Sequence, residues 1–383
     1  MAATFLRVRG GIFLSYFYPM SNWPAFRTNL LSWYRPERRR MPWKESGNPY
    51  RVWLSEIILQ QTRVEQGKPY YERFVATYPT VKDLAAAEDD AVMKLWEGLG
   101  YYSRARNLLK AARVVANEHD GQFPDTYAGL LSLPGVGPYT AAAIASFAFG
   151  RQVPVLDGNV FRILARYAAD ATPIDTTAGK KHYQRLVERA IGDDAEATPA
   201  ARFNQAIMDF GALVCTPRNA GCPTCPLVAD CKARASKQVY ELPRKEKKLK
   251  RRDRHFHYLV LKDEAERTVI QQRTGKDIWQ SLYQFPLVET AATSQEVAAL
   301  ALHPDWPDWL PAGELDFVRS SPPFRQQLTH QTIIATFHTF TWRLMPGEIA
   351  DQQILNNKML NNFAFPRVIT RFLADKSLLL NLF

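Results

Sequence analysis

From residue 22 to residue 231 apolar side chains recur at spacings of three and four, broken by Gly and Pro, which is the pattern of amphipathic helices. The stretches Val52–Gln66, Arg104–Asn117 and Pro138–Phe149 each predict a helix, and Val160–Ala168 predicts another. From residue 256 the texture changes. His257–Lys262 and Thr268–Arg273 alternate as strands do, with an acidic turn between them, and Thr332–Trp342 is a third β-rich run. Phe365–Ala374 reads as a closing helix with Pro366 in its first turn. The pattern thus predicts an all-α domain followed by a smaller α+β domain, without internal repeats or low-complexity tracts.

With 383 residues, 46% of them hydrophobic, the chain can fill more than one core, which excludes wholesale disorder. A formal net charge of +11 points to a polyanionic partner, either nucleic acid or an anionic surface. The charge is unevenly placed. Residues 1–231 hold 27 basic and 22 acidic side chains, residues 232–254 hold 11 and 3, and residues 255–383 hold 11 and 13. The segment Lys232–Arg254 therefore carries most of the excess and reads as a solvated basic linker between an all-α domain at 22–231 and the second domain at 255–383. Ahead of them, Gly11–Met20 is far shorter than the ~20 apolar residues that span a bilayer. No small-x-small cleavage site follows it, so no membrane association is expected. Residues 1–21 read as an N-terminal extension, with Met20 as the expected start.

The four cysteines are Cys215, Cys222, Cys225 and Cys231, spaced C-x6-C-x2-C-x5-C. Four thiolates so close can enclose a metal centre, whereas disulfides belong to secreted chains. Structural zinc ordinarily uses two short Cys-x-x-Cys-like pairs and here there is one, so the spacing is open to zinc and to a [4Fe–4S] cluster. Leu133-Pro-Gly-Val-Gly-Pro-Tyr-Thr140 joins two helical patterns through a Gly-x-Gly turn. Such a turn either simply connects helices or presents the amides of Gly135, Val136 and Gly137 to a DNA phosphate. Asp157 by itself suits the N-cap of the following helix. Glu56 lies in a strongly apolar helix among Trp53, Ile57 and Leu59, where burial is expected to raise its pKa toward that of a general acid at neutral pH. One protonated and one ionised carboxyl would suit N-glycosidic cleavage, by analogy with glycoside hydrolysis.

Together these motifs resemble the helix-hairpin-helix DNA glycosylase superfamily. Pro42-Trp43, Ser55–Thr62, Gly98-Leu-Gly-Tyr-Tyr-Ser-Arg104 and Phe203-Asn-Gln-Ala206 are similar to adenine DNA glycosylases of the MutY type, a likeness running from about Trp23 to Cys231. The resemblance implies a multidomain protein: an all-α helix-hairpin-helix glycosylase fold with a [4Fe–4S] cluster loop, plus a smaller α+β Nudix-like C-terminal domain. It implies that Glu56 protonates adenine at N7, that Asp157 stabilises the oxocarbenium-like sugar, and that Asn159 and Tyr139 support it. Arg39, Trp43 and Gln205 match positions around the extruded adenine, and Gln61 and Tyr101 match positions that enter the base stack. Endonuclease III-like relatives carry a strand-nicking lysine where this chain has Tyr139, which cannot form a Schiff base, so a monofunctional enzyme is expected.

The second domain resembles the Nudix-like domain that reads 8-oxoguanine, through Trp279-x-x-Leu282-x-x-Phe285-Pro286. It has no Nudix box, so pyrophosphate hydrolysis is not expected. The lesion-reading loop, usually Phe-Ser-His, is here Leu328-Thr329-His330, which keeps a hydroxyl and the histidine but replaces the wedge-like Phe. The implied partner is duplex DNA containing adenine opposite 8-oxoguanine or guanine, met by a monomer in the bacterial cytoplasm. The competing readings are an endonuclease III-like enzyme, a mismatch thymine glycosylase, and a non-catalytic DNA-binding module that would not need Glu56 and Asp157 together.

Overall fold

The computed structural model describes residues 21–44, 47–246, 250–292 and 296–375; the extension before residue 21 and the expected start at Met20 lie outside them. The first helices in chain order are α1 (Trp23–Trp33), α2 (Pro49–Leu59), α3 (Val64–Thr77), α4 (Val81–Ala85) and α5 (Asp89–Trp96). There follow α6 (Ser103–Glu118), α7 (Tyr127–Leu131), α8 (Pro138–Phe147), α9 (Gly158–Ala168), α10 (Thr177–Ile191), α11 (Ala200–Leu213) and α12 (Lys232–Ala235). The strands are β1 (Arg252–Lys262), β2 (Arg267–Gln272), β3 (Tyr283–Gln284), β4 (Leu287–Thr290), β5 (Leu315–Ser320), β6 (Phe324–Gln327), β7 (Gln331–Trp342) and β8 (Gln353–Asn356). Two further helices, α13 (Val297–Leu300) and α14 (Arg367–Leu373), complete the described α-helices, and short 3-10 turns stand at Pro36–Arg39, Cys222–Thr224, Ala312–Glu314 and Asn357–Asn362.

The helical and strand-rich halves stand where the pattern places them. One expected helix is cut. The run Val52–Gln66 stops at Leu59, Gln61 turns into the left-handed region with φ 55°, and α3 starts afresh at Val64. The periodicity survives the break because both helices bury apolar faces in the same core.

Packing divides the chain into two compact units that do not follow chain order. Among the described residues one comprises 21–40 with 154–246, built on α1 and α9–α12. The basic strip is more ordered there than its charge suggests: α12 forms, and Ala233, Val239 and Leu242 are buried. Those apolar side chains are the reason, because each removes its neighbours from water too.

The other unit comprises the described residues of 41–153 and of 250–375. One apolar core runs from Trp53 and Trp96 in the helices to Phe285 and Phe337 in the sheet, and a second gathers Leu259, Leu261, Phe340 and Trp342. The middle of the sheet is the parallel pair β1 and β7, in register from Arg252 opposite Gln331 to Lys262 opposite Thr341. Helix α5 is tied to the sheet domain by polar contacts as well: the Tyr283 hydroxyl donates to Asp90 (2.7 Å) and Lys94 donates to the Phe363 carbonyl (2.9 Å). Buried in the sheet, His257 and His338 stack, with Nδ1 of the first 2.9 Å from Nε2 of the second. Thr290 donates to the Ala292 carbonyl, so it accepts from His257 Nε2, and one neutral tautomer of each ring satisfies the whole row from Ser320 onward.

Candidate active site

Helix α2 starts behind Asn48, whose side chain accepts from the Arg51 amide, with Pro49 in its first turn. Of the nine residues from Tyr50 to Ile58 all but Arg51 are buried, a stretch too apolar for a surface helix. Glu56 is buried with them, at 7% exposure. A buried carboxyl needs a partner. It has the Tyr139 hydroxyl, which donates to Oε2 at 2.7 Å from the first turn of α8. One turn further along α2, Gln60 donates to the Thr140 hydroxyl at 3.1 Å, so two neighbouring contacts fix α2 against α8.

The hairpin before α8 explains its glycines. Gly135 has φ 73°, and a Cβ there would stand 2.6 Å from the Asn107 Cβ, so only glycine fits. Val136 is buried and its amide donates to the Leu133 carbonyl, while Gly137 caps α8 ahead of Pro138. Beside the turn lies a cavity of about 260 Å³ lined by Gln61, Tyr101, Arg104, Asn107 and Gly135 among others. Gln61 and Tyr101 are both exposed and both left-handed, at φ 55° and 49°. Non-glycine residues adopt that conformation where the surroundings impose it.

Those surroundings centre on Arg104, which is buried at 9% exposure. Its Nη1 donates to the carbonyls of Ile57, Ile58 and Gln60 (2.9, 2.9 and 2.6 Å), closing the C-terminus of α2. Its Nη2 donates to the Gly100 carbonyl (3.2 Å) and the Thr62 hydroxyl (3.3 Å). The guanidinium also lies against the rings of Trp96 and Tyr101. Burial lowers its pKa to about 10, which leaves it charged at neutral pH.

In the same unit, Leu328-Thr329-His330 forms the turn between β6 and β7, closed by the Leu328 amide donating to the Gln331 carbonyl. The Thr329 and Tyr101 hydroxyls are 2.6 Å apart. Arg251 donates to the Thr329 carbonyl from Nε at 3.3 Å. This turn, Tyr101, Arg106 and Trp279 line a cavity of about 710 Å³. Trp43, expected at the adenine, packs edge-to-face on Tyr71 and is buried.

The remaining expected residues belong to the other unit. Asp157 is the N-cap of α9: Oδ1 accepts from the Val160 amide and Oδ2 from Asn159 Nδ2, both at 2.8 Å. Burial raises its pKa above the ordinary aspartate value, and these two bonds, with Arg162 nearby, oppose the rise. Arg162 holds Asn159 in turn, donating to Oδ1 at 2.8 Å. Arg39 and Gln205 both engage Asp209, a carboxylate only 1% exposed, at 2.9 and 3.4 Å. The sequence reading missed Asp209, although its place four residues after Gln205 on α11 was a usable sign.

The four cysteines are free and half-buried. Burial pushes the Cys225 thiol up to about 11, and the other three cysteines add to the effect, so each of them lies within electrostatic reach of Cys225. Arg166 donates to Cys215 Sγ at 3.4 Å. Among the described residues no group of three or more His, Cys, Asp or Glu is gathered as a single-ion site. As donors, four clustered thiols beside a guanidinium suit a group that is bound as thiolates and carries negative charge.

Residues 54–189 match the model of the HhH-GPD superfamily base excision DNA repair proteins, and residues 257–375 match that of the NUDIX domain. The adenine DNA glycosylase of Buchnera aphidicola subsp. Schizaphis graminum (strain Sg) is 36% identical over 270 residues, 70% of this chain and 76% of that protein. The adenine DNA glycosylase of Mus musculus is 44% identical over 218 residues, 55% of this chain and 42% of that protein. Among solved structures, a thermostable thymine-DNA glycosylase aligns with a TM-score of 0.51 at 29% identity, covering 56% of this chain and 97% of its own.

Proposed function

The chain belongs to the adenine DNA glycosylase family, a branch of the helix-hairpin-helix base-excision repair enzymes with a Nudix-like C-terminal domain, and we propose that it hydrolytically removes adenine mispaired with 8-oxoguanine or guanine in duplex DNA. The observation that carries this reading is the buried Glu56 carboxyl with the Tyr139 hydroxyl 2.7 Å away, at the position where strand-nicking relatives have lysine.

Glu56 gives a proton to N7 of the flipped adenine. The C1′–N9 bond then breaks, and its electron pair leaves with a neutral base. Tyr139, donating to one oxygen, fixes the plane of the Glu56 carboxyl. The sugar becomes oxocarbenium-like, and Asp157, held by Val160 and Asn159, supplies the compensating charge. Water adds at C1′ and its proton returns to Glu56. Tyr139 has no amine, so the strand stays intact.

Gln61 and Tyr101 fill the stack behind the departing base. The amides of Gly135 and Gly137 hold a phosphate without reading sequence, while that of Val136, expected to join them, stays with the Leu133 carbonyl and shapes the turn. Thr329 and His330 read the oxidised partner from the 710 Å³ cavity, and Leu328 lies against it as a smaller wedge. Cys215, Cys222, Cys225 and Cys231 would hold a [4Fe–4S] cluster, a reading supported by the electrostatic reach of Cys225 to the other three and by Arg166 beside Cys215. Held there, it would crosslink the loop after α11, and no step of the cleavage needs it.

The test is Glu56→Gln, which keeps the shape and removes the proton. The variant is expected to bind an adenine:8-oxoguanine duplex as the native protein does. Its single-turnover base release should fall by roughly 10² to 10⁴. Undiminished release would remove Glu56 from the role of acid.

A further inference from the structure

We propose that Arg104 is the positioning residue that holds both stack-entering side chains, Gln61 and Tyr101, in the conformation needed to extrude the target base. The inference rests on the reading of those two residues as the ones that enter the stack.

Gln61 and Tyr101 stand on separate loops, one after α2 and one before α6, and both have left-handed backbones. That conformation is strained for a non-glycine residue, so it persists only where neighbours enforce it. One guanidinium neighbours both. Through Nη1 it closes the last carbonyls of α2, including that of Gln60, immediately before Gln61. Through Nη2 it takes the Gly100 carbonyl, immediately before Tyr101, and the Thr62 hydroxyl, immediately after Gln61. Its face also supports the Tyr101 ring, with 5.6 Å between the guanidinium carbon and the ring centre.

A fixed planar fork with five donors can bind acceptors from two loops at once; a lysine, with one nitrogen, cannot hold both sets. Arg104 thereby ties the spacing of the two loops to the end of the helix that carries Glu56. When the target base leaves, the two side chains must arrive in the stack together, and a misplacement of about 1 Å can cost ~10²-fold in rate.

The experiment compares single-turnover adenine release from two duplexes. In one, the adenine is paired within an ordinary stack opposite 8-oxoguanine. In the other, it faces an abasic site and is flanked by mismatches, so extrusion is already cheap. Tyr101→Ala and Gln61→Ala serve as references. Arg104→Lys is expected to slow release from the paired duplex roughly tenfold to hundredfold and from the unpaired one at most about threefold, the same split as the references. Thr62→Val, which deletes one acceptor, should show the split in smaller measure and carries the test if Arg104→Lys does not fold. Equal losses on both duplexes would mean that Arg104 merely supports the fold or Glu56, and would overturn the inference. So would unchanged rates in Arg104→Lys and Thr62→Val while the references show the split. If the references show no split, the stack-entry reading itself fails, and if the native protein releases no adenine, the proposed function fails.

Discussion

Asp157 shows how one residue answers two demands. As an N-cap it satisfies the Val160 amide, and as the proposed charge for the sugar cation it must be ionised, yet burial favours its neutral form. The helix N-terminus and the Asn159 bond oppose the burial without cancelling it. A raised folded-state pKa means that charged Asp157 weakens the fold at neutral pH and that protonation relieves the cost. It also means that the working charge is lost at a higher pH than for an ordinary aspartate, near 3.9. Single-turnover base release followed against pH should therefore fall on the acid side above that value, while a rate that held down to it would contradict the role. At this scale the sequence was informative where a residue type is chemically distinctive: Glu56 in an apolar helix, Tyr139 after a hairpin, four clustered cysteines. Arg104, Asp209 and Thr140 were not visible, because their importance lies in partners brought near by folding.

At the scale of elements, periodicity located the helices and strands but not every end. The break after Leu59 is set by Gln61 and by an arginine more than forty residues away, which no window on the sequence contains. The Gly135 turn, by contrast, is legible, because its positive φ and the closeness of Asn107 admit only glycine. The cysteine loop reads from its spacing as a candidate metal centre, open between zinc and iron. Burial holds the Cys225 and Cys231 thiols up as neutral groups, and they become favourable as ligands only when a metal takes their protons' place. Protein purified without oxygen should be brown, with about four irons per chain, and Cys225→Ser should lose iron together with thermal stability. A colourless preparation with one zinc per chain would defeat the cluster assignment.

At the scale of the whole molecule, the shift from helical to alternating texture near residue 256 marked the change of fold class. It could not show that 41–153 pack into one core with the sheet while 154–246 join the N-terminal helix. Chain order carries no information about which apolar faces meet. The net charge of +11 suggested nucleic acid only weakly, and its concentration at 232–254 gave it a location, part of which the fold also uses for burial. Non-specific attraction for duplex DNA belongs to such charge; in the proposed function, the choice of base is assigned to the carboxylates and the reading turn instead.

The central claim, adenine removal directed by the opposite base, is tested most directly by base release from matched duplexes carrying adenine, thymine or an oxidised pyrimidine opposite 8-oxoguanine and guanine. The account predicts release of adenine alone, faster opposite 8-oxoguanine than opposite guanine, with the strand left uncut. Release of thymine or of the oxidised pyrimidine in preference to adenine would contradict it.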